Sequence, residues 1–386
     1  MLKFIFVFLS VYSLMHALFF LRVRVLFSGR LVQRGLILFL IIMTTAPFIC
    51  RTLEKTGYET LTRVTAFIAF NWMGFLFICF VPVFFMGIAD FFAWTMNTFA
   101  RINLPSFSGK TPVLFLLGSA ILLCAYGFME ARNLKIEELH IATDKLPPGT
   151  DSIRIVQISD IHLGLIVREA WLKIVTEKIK LLNPDILVST GDIVDSKISH
   201  LSELSHLFQE IRPRYGKYAV TGNHEHYGGL EESLTFMQKS GFVMLRGEAQ
   251  TVNSLINIVG VDDRHKGGSA QEFSLLSSVQ NGLFTLFLKH QPAVAEKNFG
   301  LFDLQLSGHT HGGQIFPFRL LTSRFFPFLK GYYALPKGSG IYTNRGTGTW
   351  GPQMRILSPP EITVIELKRK SGDKYTIPMQ GEAGTK

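Results

Sequence analysis

Five short polar clusters in the second half of this sequence have the residue types to hold metal ions. They are Asp160-Ile-His162, Gly191-Asp192-Ile-Val-Asp195, Gly222-Asn223-His224-Glu225, the lone His290, and Gly308-His309-Thr310-His311 followed by Gly312 and Gly313. Carboxylate, amide and imidazole are oxygen and nitrogen donors suited to Mn, Fe, Zn or a similar ion. Donors two residues apart, as in Asp160/His162 and His309/His311, can face one ion where a strand ends or a Gly-flanked turn tightens. Asp192 has two carboxylate oxygens and could bridge two ions. The glycines ahead of Asp192, Asn223 and His309 allow tight turns and close approach of a ligand. Two ions roughly 3.5–4 Å apart would clamp the attacking and leaving oxygens of a phosphoryl displacement.

Taken singly, each cluster has an ordinary structural use. Gly-Asp often caps a helix, and GNHE can be a turn with Asn223 in the left-handed region. The weight lies in the ordered set and in what precedes each member. Apolar runs that read as strands cover 153–159, 186–189, 218–221, 256–261, 284–289, 304–307, 340–343 and 362–367. Amphipathic helical patterns cover 169–182, 200–211, 230–240 and 270–279. This alternation predicts an α/β sheet protein. The steps from Asp160 to Asp192, Asn223, His290 and His309 are 32, 31, 67 and 19 residues, and the first two suit successive βα units. Ligands of open α/β sheets collect outside the carboxyl ends of strands, so five clusters at five strand ends would converge.

With these motifs the sequence resembles the calcineurin-like metallophosphoesterases, whose pattern is DxH, GDxxD, GNHE or GNHD, a separated His, then GHxH. The resemblance covers about residues 150–370. The run GHTHGGQ, with TNRGTG and PPEITVIEL after it, is similar to a bacterial membrane-linked branch that carries apolar spans ahead of its phosphoesterase domain. It implies a four-layer α/β/β/α sandwich and a pair of divalent ions, Mn, Fe or Zn. By this match Asp160, His162, Asp192 and His311 would hold the first ion, and Asp192, Asn223, His290 and His309 the second. A hydroxide between the ions would be the nucleophile. His224 would protonate the leaving oxygen or steady the phosphoryl charge.

Other residues are less specific. Asp195 could orient a ligand, but capping the next helix is the favoured expectation. Glu225 and His226 are expected behind the site or at the surface. Asp262 and Asp263 could reach the site, although a turn after a strand explains them equally well. Arg345 could contact a phosphate oxygen. The stretch 316–333, FPFRLLTSRFFPFLKGYY, mixes aromatics with Arg319, Arg324 and Lys330. It reads either as a core insertion or as an apolar and basic lip touching lipid.

The first 130 residues have a different character. Apolar residues make up 47% of the 386-residue chain and charged residues 18%, with 34 Phe, which excludes a disordered chain and a simple soluble enzyme. Four runs, 4–21, 35–50, 64–89 and 111–129, reach membrane length or nearly so, and 91–100 reads as a separate interfacial piece. The expected organisation is a helical membrane region over 1–130, a linker over 131–151, the phosphoesterase domain over 152–370 and a loose tail over 371–386. Loops one and three carry six Lys or Arg against three in loop two. The positive-inside bias then places both termini and the large domain outside the cytoplasm of a bacterial plasma membrane.

Cys50, Cys79 and Cys124 all lie in or beside apolar runs, and residues 125–386 hold none, which excludes a Cys-type zinc site there. The net charge of +10 is spread between membrane flanks and domain without a basic stripe, so no nucleic-acid partner is expected. The expected function is a membrane-anchored phosphohydrolase acting on a phosphoester, phosphodiester or pyrophosphate of a small-molecule or lipid substrate. One alternative is a UDP-2,3-diacylglucosamine pyrophosphatase of lipid A synthesis, which needs a cytoplasmic site. Another is a membrane transporter or receptor whose soluble half only binds metal. Its spans offer His16 and Asn71 as their notable mid-span polar groups, either of which could be a helix–helix contact.

Overall fold

A computed structural model describes residues 2–195, 202–263 and 268–370. The chain divides into two compact units, residues 1–130 with 351–356, and residues 131–350 with 357–386.

The first unit is built on α1 (Leu2–Val23), α2 (Arg30–Glu54), α3 (Glu59–Thr95) and α4 (Lys110–Glu130). All four are long and apolar enough to cross a membrane. Large apolar side chains point outward from them, among them Leu31, Phe115 and Leu122 at 81, 78 and 73% exposure. Such surface is stable against lipid and costly against water. The separate interfacial piece expected at 91–100 is a continuation of α3, which runs through Pro82 to Thr95 and ends in a π turn over Met96–Ala100. Asp90 makes that continuity possible. Its carboxylate is neutralised by Arg22 at 2.5 Å and accepts from the Phe107 N–H at 2.6 Å, so the charge between the two apolar runs is paired within the unit. His16 is a helix–helix contact. Its Nδ1 faces the Tyr12 carbonyl at 2.8 Å and its Nε2 accepts from Trp72 Nε1 at 3.0 Å. Asn71 accepts from the Gln353 N–H at 2.9 Å, and the Arg355 N–H donates to the Gly127 carbonyl at 3.0 Å, which ties 351–356 into this unit.

The second unit contains two six-stranded mixed sheets. Its described strands are β1 (Lys135–Thr143), β2 (Ser152–Ile158), β3 (Ile186–Ser189), β4 (Lys217–Ala219), β5 (Val243–Met244), β6 (Glu248–Val252), β7 (Ile256–Val261), β8 (Phe284–Lys289), β9 (Leu304–Ser307), β10 (Gly331–Ala334), β11 (Gly340–Thr343) and β12 (Glu361–Arg369). Strand order is β1-β12-β2-β3-β4-β5 in one sheet and β10-β11-β9-β8-β7-β6 in the other. Its described helices are α5 (Glu169–Leu182), α6 (Ser205–Gln209), α7 (Asn223–Gly228), α8 (Leu230–Lys239), α9 (Gly268–Ser277) and α10 (Phe318–Phe325).

Period-two alternation sets the layers. In β2, Ile153 and Ile155 join a core shared with Ile258, Leu286, Leu304 and Leu306 of the other sheet. Val156 and Ile158 face the opposite way, onto Leu172, Val175 and Ile179 of α5 and Phe236 of α8. On the far side, Leu276 of α9 packs on Val259, Val261 and Phe287. The result is an α/β/β/α sandwich.

Part of the expected linker is structured. Lys135–Thr143 forms β1, paired in parallel with β12 from Lys135↔Glu361 to Thr143↔Arg369. Its Glu and His side chains made it read as polar connection, but an edge strand exposes one polar row to solvent at little cost. The expected helix over 200–211 is reduced to a 3₁₀ turn and α6, with its start outside the described residues. The tail beyond Lys370 also lies outside them.

Candidate metal centre

The polar clusters occupy the carboxyl ends of β2, β3, β8 and β9 and the start of α7, which follows β4. Three overlapping groups of donors result: Asp160, His162 and His311; His162, Asp192 and His224; and Asp192, His290 and His309. Within each group the donor atoms lie no more than 4.8 Å apart. His162 Nε2 is 3.1 Å from His311 Nε2, and His311 Nε2 is 3.5 Å from Asp160 Oδ1. His290 Nε2 is 3.2 Å from Asp192 Oδ2, 3.2 Å from Asn223 Oδ1 and 3.1 Å from His309 Nδ1. Asp192 Oδ2 is also 3.9 Å from His162 Nε2. The structure thus brings together all seven residues expected as ligands, with Asp192 between two sets of imidazoles.

Backbone strain accompanies this convergence. Asp160, His162, Asp192, His309 and His311 all have positive φ, from 50° to 72°. Non-glycine residues cost energy there and persist only where their surroundings fix them. Here the Asp160 N–H donates to the Gly191 carbonyl and the His162 N–H to the Asp192 carbonyl, each at 3.0 Å. The His309 N–H bonds both oxygens of Asp160 at 3.0 Å. Gly308 is required for close approach. A Cβ there would lie 2.0 Å from Ser159 Oγ and 2.2 Å from Asp160 Oδ2.

The residues around the donors fix their orientation. His290 Nδ1 is 2.8 Å from the Thr190 carbonyl, which can only accept, so Nδ1 carries the proton and Nε2 faces the site. Glu225, expected behind the site or at the surface, is 2% exposed. Its carboxylate accepts from the N–H groups of Asp192, Ile193, Val194 and Gly222 at 2.7–3.1 Å and locks the two ligand loops together. His226 stands behind these loops, its Nε2 3.5 Å from Thr221 Oγ1.

Asp195 departs most from its expectation. Its Oδ1 is 2.5 Å from His224 Nδ1 and 3.3 Å from His162 Nδ1, while the start of the helix it was expected to cap lies outside the described residues. The GDxxD spacing was the available signal, but an Asp after a strand reads equally well as a cap. Arg345 also differs. Its guanidinium is ion-paired with Glu361 and Glu137, a use the sequence did not show. Asp262 accepts from Thr221 Oγ1 and Arg246 Nε at 2.8 Å each, and Asp263 accepts from Gln291 at 2.7 Å.

The electrostatics call for positive charge. Burial disfavours a charged His290, yet the Asp192 carboxylate outweighs it and pushes the imidazole up to about 10. Burial and the neighbouring His290 drive His309 down to about 4. Two imidazole pairs therefore meet nitrogen to nitrogen at 3.1 Å around buried carboxylates. Lone pairs at that distance repel unless a cation or proton lies between them, so the donor set fits divalent metal ions.

Comparison with known proteins agrees with this chemistry. Residues 153–313 match the family model described as calcineurin-like phosphoesterase. The chain is 41% identical over 257 residues to an uncharacterized metallophosphoesterase of Aquifex aeolicus, covering 65% of this chain and 98% of that one. It is 34% identical to a Danio rerio transmembrane protein with metallophosphoesterase domain, over 68% of this chain and 64% of that one. Identity to an uncharacterized metallophosphoesterase of Campylobacter jejuni is 32%, over 61% and 65% of the two chains.

Proposed function

This chain belongs to the calcineurin-like phosphoesterase family, and from that premise we propose that it is a membrane-anchored, two-metal phosphohydrolase of phosphoesters, phosphodiesters or pyrophosphates. The observation that carries the reading is the position of Asp192 between two donor groups, with His224 Nε2 4.0 Å from the same carboxylate. In this reading Asp160, His162, Asp192 and His311 hold one ion, and Asp192, Asn223, His290 and His309 the other. Divalent ions there would polarise the phosphoryl oxygens and lower the pKa of a water.

The chain's own residues supply the rest. Asp195 accepts from His224 Nδ1, which leaves Nε2 facing the substrate space. Burial opposes charge on His224, but the bond to Asp195 and the charge of Asp192 prevail and raise it to about 9. These two carboxylates favour the imidazolium form of His224, whose Nε2–H can protonate the leaving oxygen. Tyr227 and Trp350 rings, centred 5.6 and 5.7 Å from His224, border that space.

The test is a hydrolysis screen on the detergent-purified full chain with a bis-aryl phosphodiester, an aryl monoester and UDP-2,3-diacylglucosamine. At least one should be hydrolysed, with activity lost on chelation and restored by Mn. Metal-loaded protein inert toward every ester would sink the enzyme reading and favour a transporter or receptor with a metal-binding domain.

The same proposal places the phosphoesterase domain outside the cytoplasm. Loops one and three hold Arg22, Arg24, Arg30, Arg34, Arg101 and Lys110, against Arg51, Lys55 and Arg63 in loop two. An alkaline phosphatase reporter fused after Lys386 should be active. Activity from a cytoplasmic reporter in its place would reverse the topology and strengthen the lipid A alternative.

A further inference from the structure

The stretch following the last two ligands, His309 and His311, is unusually apolar on its surface. Five of the thirteen exposed large apolar residues described in the second unit fall within ten positions: Phe316, Phe318, Leu320, Leu321 and Phe325. None of the residues of α10 is buried. Leu320 and Phe325 are 65 and 70% exposed, which is costly in water for adjoining side chains. Arg324 is exposed on the same helix and Arg319 half-buried. Residues 304–350 hold five Lys or Arg and no Asp or Glu; Arg345 is ion-paired with Glu137 and Glu361, and it is Arg319, Arg324 and Lys330, on the helix and just after it, that suit an anionic surface.

The helix is joined to the ligand loop at three points. Gly313 lies so close to it that a Cβ would come 2.4 Å from Arg319 Cα. The Phe326 ring is centred 5.0 Å from the His309 imidazole. Thr310 Oγ1 donates to the Leu329 carbonyl at 2.6 Å. Gln314 extends the rim by exchanging hydrogen bonds with the Trp350 backbone at 2.8 and 3.1 Å, and Trp350 in turn borders His224. The apolar strip and the metal ligands are thus one mechanical piece. Chain connectivity supplies a bilayer. Only residues 131–134 separate the membrane-length α4 from β1, and four extended residues reach roughly 14 Å at most.

We propose that Phe316 and α10 form a lip that seats in an anionic lipid surface, with apolar side chains among the acyl chains and Arg319 and Arg324 at headgroup level. Resting on the phosphohydrolase reading above, this makes the substrate class a phosphate or pyrophosphate ester presented from the leaflet. The lip would hold the leaflet's phosphates level with the ligand loop.

The test uses the full chain in nanodiscs of phosphatidylcholine doped with phosphatidylglycerol. The three native cysteines are replaced by alanine and a fluorophore is placed on Leu321→Cys. Leu181→Cys, at a position 86% exposed on α5, is the reference. Nitroxide lipids labelled near the headgroup should quench the lip position severalfold more than the reference. Leu320→Asp with Phe325→Asp, or omission of phosphatidylglycerol, should each remove most of that difference. Equal quenching at the two positions overturns the lip. So does self-quenching of Leu321→Cys that grows with copies per disc, because it assigns the face to a second chain. Soluble aryl-ester hydrolysis by the parent chain is read in parallel. Hydrolysis without lipid contact overturns the lip alone, and lipid contact by metal-loaded protein inert toward every ester of the screen above overturns the phosphohydrolase reading alone.

Discussion

Asp192→Asn is expected to lower hydrolysis of an aryl phosphoester by about two orders of magnitude or more, since the charge stabilisation a metal supplies is worth several kcal/mol. The side chain is 2% exposed and lies within 3.2 Å of His290 Nε2 and 3.9 Å of His162 Nε2. Asn keeps the shape and one oxygen but loses the negative charge between the two donor groups. Its Oδ1 also accepts the His224 N–H at 2.8 Å, a bond the amide oxygen can retain, so the turn into α7 should survive. The melting temperature should therefore stay close to the parent's, while metal content by elemental analysis falls. Near-parent turnover in metal-replete protein would refute the bridging role.

His224→Ala separates proton transfer from metal binding. His224 is additional to the seven residues assigned to the two ions, so the variant should keep its metal. General acid catalysis is worth roughly 10²–10⁴-fold, and the loss should be larger for an alkyl than for an activated aryl leaving group. Loss of metal together with activity would make His224 a ligand or a support. Equal slowing of both esters would give it an electrostatic role. Asp195→Asn adds a pH reading. The Asp195 bond helps hold His224 high, so removing its charge lowers that pKa. Activity needing protonated His224 is lost as pH rises through its pKa, and the alkaline limb of the profile should move to lower pH. An unmoved limb would leave Asp195 without influence on the acid.

The legible parts of this protein share a physical origin. β3, β7, β8, β9 and β11 have the bounds that their apolar runs predict, and α5 spans its amphipathic pattern from Glu169 to Leu182. In each the local hydrophobic period and the flanking Gly or polar residues suffice. α10 carries apolar residues at helical spacing, Phe318, Leu321 and Phe325, but at eight residues behind Pro317 it is too short a pattern to stand out. β10 and β6 were missed because two of the four residues of β10 and two of the five of β6 face solvent. The GDxxD motif was visible, but the partner of its second Asp was not. His224 is 29 residues away along the chain, and only the sheet brings the two together.

The sequence by itself determined the donor inventory, its order along the chain and the presence of four apolar helices, because residue chemistry and short-range periodicity are local properties. Tertiary structure decided which of those residues face one another. It pairs β1 with β12 across more than two hundred residues, commits Arg345 to Glu137 and Glu361, and sets α10 against Gly313. It also imposes positive φ on five of the seven proposed ligands. No local preference of Asp or His would select that conformation five times. It exists because hydrogen bonds and packing from both sheets outweigh the strain, a balance that arises only once distant strands have closed around the site.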